Sequence, residues 1–162
     1  MGKLLPIYLN DHLAGATLGG ELARRLRASN EGDPAFGLEL AEICAEIEAD
    51  RETLLAIMAE LDVSPSRLKP FAAVLAERLG RLKLNGQLRG YSPLSRLDEL
   101  EVLQLGVTGK RCLWRALEQT HAGDLAAFDL VALAERASDQ LRRLQALHLK
   151  AASLALGKRV SS

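Results

Sequence analysis

Residues 36–61, FGLELAEICAEIEADRETLLAIMAEL, decide the fold. Phe36, Leu40, Ile43, Ile47, Asp50, Leu54, Ile57 and Leu61 follow one another in steps of four and three. That spacing puts all eight on one helical face and makes a seam of the kind that packs knobs into holes. Cys44, Arg51, Leu55 and Met58 occupy the neighbouring row, while Glu39, Glu42, Glu46 and Glu60 face outward. One seam member, Asp50, is not apolar. A carboxylate in a bundle interior is costly unless it is paired or hydrogen-bonded, so Asp50 needs a partner.

Working outward, helical spacing continues through the chain and no alternating strand pattern persists. Five helical segments are expected. The first runs from about Leu4 to Ala28. The second starts at Asp33-Pro34, an N-cap followed by proline, and reaches about Asp62. The third follows Ser64-Pro65-Ser66 and stops at Asn85-Gly86. The fourth starts at Ser92-Pro93 and ends near His121-Ala122-Gly123, and the fifth starts near Asp129, or earlier at Asp124, and reaches about Leu156. Short connections between long amphipathic helices imply an all-α, antiparallel helical bundle of four to five long helices.

Two further seams carry polar residues. In the fifth segment Ala134, Ala137, Leu141, Leu144, His148, Ala151 and Ala155 align, with His148 the odd member. In the first, Leu5, Leu9, His12, Ala16, Gly19, Ala23 and Leu26 align, although Leu13 and Leu22 allow a rotated alternative. Asp50, Arg51, His148 and His12 are therefore the expected interior polar cluster, with Lys110 another possible partner for Asp50. Such a cluster fixes helix register and pairing.

The length of 162 residues with 48% apolar content suits a single domain, residues 1–157, followed by a flexible tail, 158–162. Twenty-one basic residues balance 21 acidic ones. A nucleic-acid partner would ask for a basic excess, so none is expected, and no apolar run is long enough for a membrane span. Two cysteines, Cys44 and Cys112, are too few for a disulfide scaffold and fit a reduced cytoplasmic protein.

Catalytic chemistry finds little support, which leaves enzyme status open and leaning towards none. Both cysteines sit on or beside apolar faces, and Gly109-Lys110 lacks the rest of a phosphate-binding loop. Helical bundles can hold two iron ions through glutamates and Glu-x-x-His pairs, because positions three apart share a face. Of the three histidines only His121 has a glutamate, Glu118, three residues before it. Glycines are unusual in helix interiors, each costing about 1 kcal/mol against alanine. Gly15, Gly19 and Gly20 in the first segment and Gly106 and Gly109 in the fourth imply either close helix crossing or the wall of a small-molecule pocket.

Leu9-Asn10-Asp11-His12-Leu13 and Ala45-Glu46-Ile47-Glu48-Ala49-Asp50-Arg51-Glu52-Thr53-Leu54 resemble the first and second helices of the ferritin-like superfamily. The resemblance implies a ferritin-like bundle. Glu48 matches the family glutamate, but Arg51 stands where the histidine is expected, and Gly15 or Ala16 stands where the first helix usually carries glutamate. The resemblance thus implies a bundle without most of its di-iron ligands, with a salt bridge in their place. The expected function is non-catalytic, with no cofactor and with action through a protein partner or self-association. The alternative is an iron-binding protein or di-iron oxidase with an irregular site made of Glu48, Glu101, Glu118 and His121.

Overall fold

A computed structural model describes residues 4–66 and 91–157. Four helices account for 82% of these residues, with no strand among them: α1 (Leu4–Ser29), α2 (Gly37–Glu60), α3 (Pro93–His121) and α4 (Leu130–Leu156). The third expected helical segment, from after Ser66 to Gly86, and the tail 158–162 lie outside the described residues. No helix among the described residues is long and apolar enough to cross a membrane.

The helix ends follow from local chemistry. Pro93 occupies the first turn of α3, and the Ser92 hydroxyl accepts the Ser95 N–H at 3.1 Å. Asp129 does the same for Ala132 at 2.9 Å and starts α4. The second helix begins three residues later than Asp33-Pro34 suggests. Asp33 instead closes a turn, its carboxylate accepting the Ala35 N–H and its carbonyl the N–H groups of Phe36 and Gly37. The other end of α2 is a Schellman motif: Val63 N–H reaches the Met58 carbonyl and Asp62 N–H reaches that of Ala59. Asp62 takes the left-handed conformation, φ 52°, that this motif demands.

Side-chain pairs give the packing directions. Thr17–Arg51 and Arg24–Glu48 set α1 antiparallel to α2, and Lys110–Gln140 and Glu101–His148 set α3 antiparallel to α4. Tyr91 and the start of α3 lie beside Asn30, where α1 ends, so α1 and α3 are antiparallel; Asp50–Arg136 and Phe36–Lys150 make α2 and α4 antiparallel. Around the bundle the order is α1, α2, α4, α3. The helices α2 and α3 run the same way and face each other across the diagonal, with no close backbone approach. Ser66 is held at the start of α1, its N–H donating to Asn10 Oδ1 at 2.6 Å, whereas Tyr91 is held at its end by Asn30.

Every residue of the Phe36-to-Leu61 seam is buried, Asp50 included, and Trp114, Leu100, Leu117, Leu144 and Ala137 pack into the same core. On α4 the buried residues are Leu130, Leu133, Ala134, Ala137, Gln140, Leu144, Leu147 and Ala151. Ala134, Ala137, Leu144 and Ala151 of the expected row are among them, but at two places the buried side turns by one residue, with Gln140 inside in place of Leu141 and Leu147 in place of His148. The reason is Gln140, which lies inside because Asp50 and Lys110 satisfy its amide.

Candidate functional site

At the centre of the bundle the α2 seam supplies one carboxylate, and three side chains from the opposite helices close on it. Asp50 is 1% exposed. Arg136 donates to Oδ1 through Nε at 3.0 Å and also through Nη2. Lys110 donates to Oδ2, and the Gln140 amide reaches the same oxygen at 3.2 Å. The lysine donates again to Gln140 Oε1 at 2.5 Å, and the Gln140 amide also reaches Glu46 Oε2 at 2.9 Å. From Glu46 the network continues outward to Arg143, which sits among Glu39, Glu42, Glu46 and Asp139.

Burial pulls the Lys110 ammonium below the usual lysine pKa, opposed by the facing carboxylate of Asp50. Two cations and an amide on one carboxylate leave it few open lone pairs, and charge-assisted bonds of this kind are strong and orienting. The chemistry of the cluster is cohesion: it joins α2, α3 and α4 where α2 and α4 approach each other only loosely.

Of the four residues expected in the interior cluster, only Asp50 belongs to it. Arg51 instead points its guanidinium to the Thr17 hydroxyl at 3.4 Å and to Glu52 at 2.9 Å. His148 sits on the shoulder of α4, where Nε2 meets Glu101 Oε1 at 3.0 Å. Its displacement follows from the rotated α4 seam. His12 is half-buried on α1, edge-on to Tyr8 with ring centroids 4.6 Å apart, and burial lowers its pKa. Lys110 could be named from the sequence. Arg136 and Gln140 could not: neither lies on the expected seam, which passes through Leu141.

The residues of the iron alternative are dispersed. Glu48 pairs with Arg24 at 3.2 Å, Glu101 with His148, and His121 Nδ1 meets the Thr120 hydroxyl at 2.7 Å, while Glu118 is exposed. Among the described residues no three His, Cys, Asp or Glu side chains converge as a metal site would require. The central donor set does not fit a di-iron centre, because its one buried carboxylate is already committed to two cations.

Beside the cluster, α1 and α3 border an open-sided cavity of about 410 Å³ against the flank of α2. Gly15 and Gly19 line it from α1, and Gly106 and Gly109 from α3. Among the described residues, a Cβ added at Gly19, Gly106 or Gly109 would meet nothing within 4 Å. These three glycines therefore do not serve close crossing between the described helices.

A second polar cluster closes the far end of the bundle. Glu99, 3% exposed, accepts from Arg25 at 2.5 Å and from the Tyr91 hydroxyl at 3.1 Å, and Tyr91 in turn accepts from Asn30. Burial raises the Glu99 pKa above the usual carboxylate range and pushes Tyr91 up to about 12. No protein-family model, no curated protein and no solved structure matches the chain.

Proposed function

We propose that the chain is a non-catalytic, ferritin-like helical bundle that acts through protein contacts, with its central ion cluster in place of a di-iron centre. The observation that carries this reading is Asp50. It is the buried carboxylate of the α2 seam, and Arg136, Lys110 and Gln140 consume it. The helix directions support the ferritin-like part: two antiparallel hairpins with α2 parallel to α3 require one long crossover, as in that class of bundles. The setting is the cytoplasm, where Cys44 and Cys112 remain free thiols.

The contact surface is one end of the bundle. Leu38 at the start of α2, Leu94 at the start of α3, and Leu149, Leu154 and Leu156 near the end of α4 are all exposed there, Leu38 by 83%. Several large apolar side chains at one end mark an association surface. The partner is a second copy of the chain. Sedimentation velocity should find an oligomer that the Leu38→Glu/Leu154→Glu variant dissociates without loss of helicity. A wild-type monomer at all concentrations would remove self-association. Stoichiometric iron in protein from iron-rich medium would remove the ion cluster as its substitute.

A further inference from the structure

We draw no further inference here: the strongest candidate, the open-sided, mainly apolar cavity that α1 and α3 border beside Gly15, Gly19, Gly106 and Gly109, carries none, because nothing in the structure shows what covers it.

Discussion

Lys110 and Asp50 meet across the diagonal of the bundle, joining α3 to α2 although the two backbones make no close approach. The pair is shut away from water on the carboxylate side, where Asp50 is 1% exposed. Removing one partner of a buried pair strands the other, whereas replacing both by apolar groups of similar size does not. Asp50→Ala should therefore cost about 3–5 kcal/mol in denaturant unfolding, and Asp50→Leu/Lys110→Met should recover part of that loss, the rest remaining with Gln140 and Arg136, which also lose the carboxylate. A double variant as unstable as the single one would show that charge itself, rather than filled space, holds the centre together.

The same pair predicts a pH response. Burial depresses the Lys110 pKa, and Asp50 opposes the depression. In Asp50→Ala that opposition is gone, so the folded-state pKa falls further below the unfolded value of 10.5. The unfolded chain then binds more protons between the two values, and the variant should gain stability as pH rises towards 10.5. Chemical denaturation from pH 7 to 10 checks this, with Asp50→Ala/Lys110→Met as the flat control.

The glycines give a test with the opposite sign. At a close helix crossing, alanine in place of glycine clashes. At Gly106 and Gly109 a methyl group would meet nothing within 4 Å among the described residues. Each Gly→Ala substitution should thus raise stability by about 1 kcal/mol, the ordinary helix-propensity difference. Thermal and urea unfolding of the two single variants decide it, and a loss of stability in both would restore the close-crossing account.

How much of this the sequence discloses depends on how each residue type reports its environment. The α2 seam is fully legible, because apolar residues at regular steps have one physical explanation and Asp50 is fixed by its place among them. Ser92-Pro93 and Asp129 are legible as helix starts for the same reason: their side chains act locally. The α4 face is not. Leu141 beside Gln140 makes the apolar choice look correct by one residue, and only the partners across the bundle, Asp50 and Lys110, explain why the amide lies inside. His148 is misplaced by that same rotation. The glycines announce themselves as unusual, but whether they admit a backbone or leave a void depends on the separation of α1 and α3, which no local pattern encodes.

Asp62 supplies a local prediction. Its left-handed backbone closes the Schellman motif at the end of α2, and an L-residue with a side chain is strained there. Asp62→Gly should stabilise the fold by roughly 0.5–1 kcal/mol, with the greater backbone freedom of glycine in the unfolded chain offsetting part of the relief. Unfolding by urea at constant m-value is the measurement, and a destabilised variant would mean that the Asp62 carboxylate contributes more than its backbone costs.

His12 gives the last test and lies on the cavity wall. Burial lowers its pKa below 6.5, while the nearby Asp11 carboxylate acts in the opposite direction. Below pH 6.5 the unfolded chain takes up a proton that the folded chain resists, so this contribution to stability is present above pH 6.5 and is lost as pH falls through the folded value. A His12→Phe variant keeps an aromatic ring against Tyr8 and should lack that step. Comparing urea midpoints of the two proteins from pH 7.5 down to 5 isolates it, because the other carboxylates and histidines titrate in both. Parallel profiles for wild type and His12→Phe would show that the imidazole titrates as freely in the fold as in the unfolded chain.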